Sequence, residues 1–489
     1  MVNANVLHST GAKRSMNVKK GAFMKRRMAA AIISIAMFSA LGYGGVKEKR
    51  DVKEEYYPNG EVRLVRSYLN GDLEKTEEFF LKKWKPRAQM KKEEFYAAGK
   101  LSRNKEYYES GQLKSEGVYE RESLVLFKEY GTNGKLKTEV VHKNGRQEGL
   151  AKEYYESGQL KNEKTYQGGK LDGPVKEYYE KGQVKTEDVY KNGRQEGVSK
   201  AYYETGQLKN KKSFIGGKAN GLSKDYYSTG QLEVEAIYLN GDLDGLLKRY
   251  DENGQIKSEE VYKKGKQDGL TKEYHKTGRL KSEKAYRGGK TNGPSKEYYE
   301  NGKLAIETTY LNGDLEGMFK EYYENGQLKS EAVNKNGKPE GPAKEYYKTG
   351  RLKSGKAYEN GTLQGPSKEY YENGQLAVEA TYLNGNFMGP LKRYHENGRV
   401  KEEGFYKAGK PNGIIKEYYA TGQVKSETDY DEGKLSGLSR EYYATGQMKS
   451  EKVYSGGRLD GFVREYYEQG QLKSEAIYKN GKLESVKNH

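Results

Sequence analysis

The stretch from Lys152 to Val175, KEYYESGQLKNEKTYQGGKLDGPV, decides how the chain folds. Gly158, Gly169 and Gly173 separate two short runs, GQLKNEKTY and GPVKEYY, whose side chains alternate and whose residues favour extended backbone. Runs of this kind between glycine turns predict two antiparallel strands per unit, and no apolar spacing of helical period competes with them. The pairs preceding the first glycine include Glu-Ser, Glu-Asn, Lys-Thr, Glu-Thr, Ala-Thr and Glu-Lys. Thr and Lys tolerate a left-handed backbone poorly, so the pattern favours a type I turn with glycine in the left-handed bulge position over a two-residue Asn-Gly hairpin.

Outward from this stretch the phrase returns every 24 residues. Its first tyrosine recurs at Tyr130, Tyr154, Tyr178, Tyr202, Tyr226, Tyr250, Tyr274, Tyr298, Tyr322, Tyr346, Tyr370, Tyr394, Tyr418, Tyr442 and Tyr466, fifteen copies without insertion or deletion. Such a fixed period marks a repeat architecture. Tyr107-Tyr108 opens an earlier copy and Tyr56-Tyr57 a degenerate one, with an irregular segment from Phe79 to Gly99 between them that contains Trp84. A second period of 72 residues links the phrases beginning at Gly230, Gly302 and Gly374, as expected of an array that grew by copying triplets. Three regions follow: a basic leader over 1–45, degenerate repeats with the irregular segment over 46–104, and the array over 105–489.

Composition agrees with an array and excludes conventional cores. The 489 residues are 34% hydrophobic with a mean hydropathy of -1.08, too polar for several ordinary globular domains. Yet 46 Tyr, 11 Phe and 1 Trp set the chain apart from disordered sequences, which are poor in aromatics. The absence of Cys excludes disulfides, Cys-ligated metals and thiol nucleophiles.

The strand register is open at this level. A three-residue loop puts Tyr154 opposite Leu160 and Glu153 opposite Lys161; a two-residue loop puts Tyr155 opposite Leu160 and Lys152 opposite Glu163, pairing opposite charges in thirteen of fifteen copies. Under either, Leu160 and Tyr166 are expected on one face, since six residues separate them. The first tyrosine never varies, whereas the second is replaced by Gly131, Asp251, His275 and His395, so the first is expected inward and the second toward solvent. Stacked units would bury the Tyr and Leu side chains as a ladder, in a twisted ribbon on the order of 150 Å long at ~4.8 Å per strand.

Charge points to the N-terminus. Residues 1–50 hold ten Lys/Arg against one acid, Glu48, which is half the net charge of +18. The remainder interleaves both signs, unlike the one-sided basic stripe of a nucleic-acid binder, so no nucleic acid is expected. Lys25-Arg26-Arg27 precedes an apolar run from Met28 to Leu41 that is too short to span a bilayer and is followed by Gly42, the anatomy of a cleaved signal peptide. Export to the envelope or medium is therefore expected, with translation starting at Met24, and an N-terminal membrane anchor is the alternative.

The phrases YYENGQLKSE and YKNGKLDG, repeated from about Tyr107 to Glu484, resemble the MORN repeat variant family, including the short bacterial repeats grouped as YwqK-type toxin–antitoxin antitoxins. The resemblance implies an all-β repeat sheet used for binding or membrane association, without intrinsic catalysis. MORN repeats also accompany lipid kinase domains, but no kinase motif stands here.

Five histidines, His8, His142, His275, His395 and His489, form no HExxH, and no phosphate-binding loop or nucleophile elbow is present. Acidic pairs recur beside lysines in every unit, the mark of a solvated face. Asn240, Asp242, Asp244, Gly245 and Asp251 copy the spacing of a calcium loop, but the sister copy has Glu316 and Tyr323 instead and flanking helices are missing. No cofactor or metal is expected. The second tyrosines Tyr155, Tyr179, Tyr203, Tyr227, Tyr299, Tyr323, Tyr347, Tyr371, Tyr419, Tyr443 and Tyr467 form a row suited to gripping a protein, an extended peptide, or a glycan or other cell-surface polymer, or else to shielding the sheet. The expectation is thus an all-β, elongated, single-sheet antiparallel hairpin array: an exported, non-enzymatic binding protein, with toxin neutralisation or membrane scaffolding as alternatives.

Overall fold

The computed structural model describes residues 48–81 and 89–489. The signal-peptide segment, the start at Met24 and Trp84 lie outside the described residues. Among the described residues there are 44 strands and no helix, in one antiparallel sheet. Each long strand pairs with the next long strand in sequence, and the two-residue strands such as Arg146–Gln147 pair with the strand before them, so the sheet is a meander throughout the described residues.

One unit shows the construction. Strands Gly149–Tyr154, Leu160–Gln167 and Lys170–Tyr178 are joined by two turns of different chemistry. In the first, Gly158 N donates to Tyr155 O and Tyr155 N to Gln159 O, both at 2.8 Å, and Gly158 sits at φ 86°. This is the type I turn with a left-handed glycine that the preceding residues demand. In the second, two residues are both left-handed, Gly168 and Gly169 here and Asn192 and Gly193 in the next unit (φ 52° and 81°). That geometry matches the right-handed twist of the strands and explains the Asn-Gly preference.

The register combines both sequence alternatives. Tyr154 faces Leu160 as in the longer loop, while Lys152 faces Glu163 as in the shorter one. The two coexist because Lys161 is an unpaired extra residue, so Glu153 faces Asn162 instead of Lys161. The same shift recurs in each array unit, for example between Glu177 and Tyr178 and between Arg249 and Tyr250.

The bulge overturns the expected faces. By inserting one residue it reverses the alternation, so Leu160 shares a face with Tyr154 while Tyr166, opposite Gly149, lies on the other. The buried side chains of that second, inner face include the ones three positions before the first tyrosine, Val175, Ser223, Leu247, Thr271, Ser295, Ser367, Leu391 and Ile415, and others eight or ten positions after it, among them Ser354, Ala236 and Ala380. Leu391 is 1% exposed, and the space about it is tight: a Cβ on Gly404, its cross-strand partner, would lie 2.1 Å from Ile415 Cδ1. The first tyrosine therefore does not point into the core; it is half-buried on the outer face. The core is a row of small and aliphatic residues, with the tyrosines of the Tyr166 type beside it, and not the expected Tyr–Leu ladder.

The segment before the array is also sheet. Gln89–Ala97, expected to be irregular, is a strand paired with Asp72–Phe80 and with Lys100–Tyr107, and the latter crosses the expected boundary between 104 and 105. Over the described residues the degenerate units continue the same ladder.

Candidate interaction surface

Consecutive units are tied at both turns. At the type I turns, ten of the eleven second tyrosines donate their hydroxyl to the carbonyl oxygen of the first tyrosine one unit on, from Tyr155 to Tyr178 through Tyr443 to Tyr466, at 2.6–3.0 Å. These ten are half-buried, contrary to the solvent-facing placement expected of them. Tyr467 alone is exposed, at 46%. His275 and His395 keep the link, each placing Nε2 against Tyr298 O and Tyr418 O at 2.9 and 3.0 Å. Asp251 gives it up and caps its own turn, accepting from Asn253 N and Gln255 N at 2.9 Å.

At the Asn-Gly turns an acid of one unit accepts from the turn amide of the next. Glu148 takes Gly168 N at 2.7 Å, Asp172 takes Asn192 N at 3.0 Å, and Asp244 takes Lys264 N at 3.1 Å. Asp244 and Asp251, two of the residues with calcium-loop spacing, thus hold backbone amides of different turns. Among the described residues no group of three or more acids and histidines is placed to hold a metal.

The outer face carries three parallel rows. Nearest the type I turns lie the first tyrosine and Leu160-type residues. A Lys–Glu row follows, with Lys152–Glu163 at 3.5 Å, Lys224–Glu235 at 3.1 Å and Lys416–Glu427 at 2.8 Å. Tyrosine hydroxyls join it: Tyr202 donates to Glu187 and Tyr274 to Glu259, both at 3.0 Å. The Tyr202 hydroxyl and the ammoniums of Lys176 and Lys200 hold the Glu187 carboxyl below its usual range. Burial, with the Glu259 carboxylate as second cause, pushes the Tyr274 phenol up to about 12. The row breaks at Lys211, which stands between Lys200 and Lys224, and at Gly355.

Nearest the Asn-Gly turns is an apolar lane that the sequence reading missed. The residue four before the first tyrosine is apolar in all fifteen units, and it faces the residue eleven after that same tyrosine across the hairpin. Leu222 and Ile237 form such a pair, 46% and 39% exposed. Leu150, Val198, Leu270, Met318, Phe405 and Ile414 are exposed along the same lane. The signal was present in the invariant apolar character of positions 126, 150, 174 and onward. It was hidden because Leu, Pro, Val, Met, Ile and Phe take turns there.

Compared with known proteins, the chain matches the family model described as MORN repeat variant in thirteen segments: 103–121, 147–167, 171–192, 195–215, 219–240, 243–264, 291–312, 315–336, 363–384, 389–408, 411–432, 435–455 and 459–485. No curated protein matches. Among solved structures, that of TcdB2-TccC3-Cdc42 is 12% identical, covering 87% of this chain and 30% of that one at a TM-score of 0.13. That of TcdB2-TccC3 is likewise 12% identical, covering 87% and 31% at 0.14. This chain thus spans under a third of theirs, and superposition at that level bears on neither shape nor activity.

Proposed function

The chain belongs to the MORN repeat variant family, and from that premise we propose that it is a non-catalytic binding protein whose apolar lane receives an extended protein partner. The observation that carries this reading is the lane itself: an apolar residue at one position in every unit, left open as a large side chain at Leu150, Val198, Leu222, Leu270, Met318 and Ile414, bordered by lysines and glutamates. Exposed apolar surface with a polar rim is the composition of a protein interface. The repetition suits a partner lying lengthwise, with each unit adding the same small contact.

The tyrosine row enters this proposal as strutwork between units, its hydroxyls being engaged there. Replacing Leu222, Leu270 and Met318 together by Ser should abolish recovery of partners from an envelope extract, while Tyr203→Phe should leave it intact. Equal recovery by the lane variant would overturn the reading. Export, proposed from the Lys25 to Leu41 segment, is checked by sequencing the mature N-terminus: a chain beginning after Gly42 in envelope or medium supports it, and a full-length cytoplasmic chain refutes it.

A further inference from the structure

The tyrosine twelve residues after the first tyrosine stands on the inner face in most units, but the unit of Tyr130 has His142 there. The next unit carries Asn162 where others carry the smaller Ser258 or Ser282. Between them lies a cavity of about 330 Å³ lined by Phe127, Thr138, His142, Ala151, Asn162 and Tyr166.

Two of these side chains hold a buried polar atom without a partner, Nδ1 of His142 and Oδ1 of Asn162. Asn162 is only 5% exposed, and its amide nitrogen donates to Glu153 at 2.7 Å, which fixes the orientation and leaves the oxygen as a free acceptor. At the same position Ser258 and Ser282 each donate their hydroxyl to a glutamate, and Ser450 leaves a single hydroxyl open, whereas Asn162 and His142 line one cavity together. A buried amide oxygen left open is costly, so its retention beside a second open atom in one cavity marks a place for a ligand.

The surroundings define its chemistry. Lys164 and Glu153 neutralise each other at 3.5 Å, so the cavity offers no spare charge to an ion. Phe127 and Tyr166 supply ring surface, and Ala151 and Thr138 leave room. The volume is at the low end of small-molecule pockets, which run ~300–1,000 Å³. Asn162 Oδ1 demands a donor, whereas His142 Nδ1 takes a donor or an acceptor according to tautomer, and a hydroxyl satisfies both.

We infer that this inner-face cavity binds a single pyranose ring, which lies against Phe127 and Tyr166 and places one hydroxyl on Asn162 Oδ1 and another on His142 Nδ1. The site is on the opposite face from the apolar lane and stands independently of it. The ring is that of a free monosaccharide or one residue of a glycan.

Calorimetric or NMR titration of the full chain with methyl glycosides of glucose, galactose, mannose and N-acetylglucosamine tests the inference. At least one should saturate. His142→Tyr, which installs the residue other units use and fills the cavity, should weaken it tenfold or more, as should Asn162→Ser. Both variants follow the array's own usage, and an unchanged circular dichroism spectrum confirms folding. A tetrasaccharide of the same sugar that binds more tightly than the methyl glycoside assigns the site to a glycan, and equal affinity assigns it to the free sugar. No saturation by any sugar, meaning a cavity that holds water only, or unchanged binding in both variants, overturns the inference.

Discussion

The hydroxyl of Tyr155 lies 2.7 Å from the carbonyl oxygen of Tyr178, reaching across one strand pair to the same point of the next unit. A phenol can make this bond only from a half-buried position at the head of the turn, so the second tyrosine belongs to the joint between units. The histidines at 275 and 395 reproduce the bond through Nε2, which shows that reach and a donor are the requirement.

Tyr203→Phe should therefore remove one inter-unit hydrogen bond at a cost of about 1 kcal/mol, and Tyr203→His should recover most of it. Long arrays do not unfold as one cooperative block, so the effect is to be read locally. Amide exchange around Tyr226, whose carbonyl is the acceptor, should quicken about fivefold in the Phe variant. Unchanged exchange would assign the bond no energetic weight.

Two glycines of the same turn class should differ in tolerance. Gly269 has φ 137°, and an added Cβ would lie 2.9 Å from Val261 Cβ on the facing strand. Gly197 has φ 75° and nothing within 4 Å of that point. Gly197→Ala should cost roughly 1–2 kcal/mol for the left-handed backbone alone. Gly269→Ala should cost more, because a branched side chain anchored to a strand must also move. Denaturant melts of shortened arrays carrying each variant measure the difference.

Lys211 interrupts the Lys–Glu row with a third cation between Lys200 and Lys224. Lys211→Glu should restore alternation and stabilise that unit by about 0.5 kcal/mol, with the gain shrinking as salt is raised. A loss of stability at low salt would contradict this account of the row.

Burial raises the phenols of Tyr274, Tyr406 and Tyr418 to about 12, aided by hydrogen bonds to Glu259, Glu402 and Glu403. Folding thus favours the protonated form, whose stabilisation is complete below the unfolded value of ~10 and is lost as pH climbs through the folded value. Spectroscopic titration should show these phenolates forming late, and thermal stability should fall between about pH 10 and 12. A Tyr274→Phe variant should flatten part of that fall.

The period, the strands and the type I turn were legible from sequence because each is written in local chemistry, glycine where the backbone turns left-handed and alternation between; the type of the second turn, with two left-handed residues, was not read. Nor were the faces. Lys161 bears no mark of being unpaired, and without that bulge Tyr166 is assigned to the face of Leu160. The core was equally opaque, since Val175, Ser223, Leu247 and Thr271 share a place and no common chemistry. The conflict between the two loop readings was itself informative. Each was correct on its own side of the bulge, and a conflict that recurs in every unit is the trace such a bulge leaves in sequence. The cavity at His142 was visible only as an exception to the pattern.

Because each long strand bonds to the next long strand in sequence, tension applied between the two ends of the array pulls across the strands and loads a single ladder at a time. The sheet should yield as a zipper does, hairpin by hairpin at low force, giving a sawtooth of 24-residue steps in an optical trap. Each released hairpin closes again through contacts near in sequence, which favours rapid recovery. A molecule built in this way can be stretched and can spring back without losing its place.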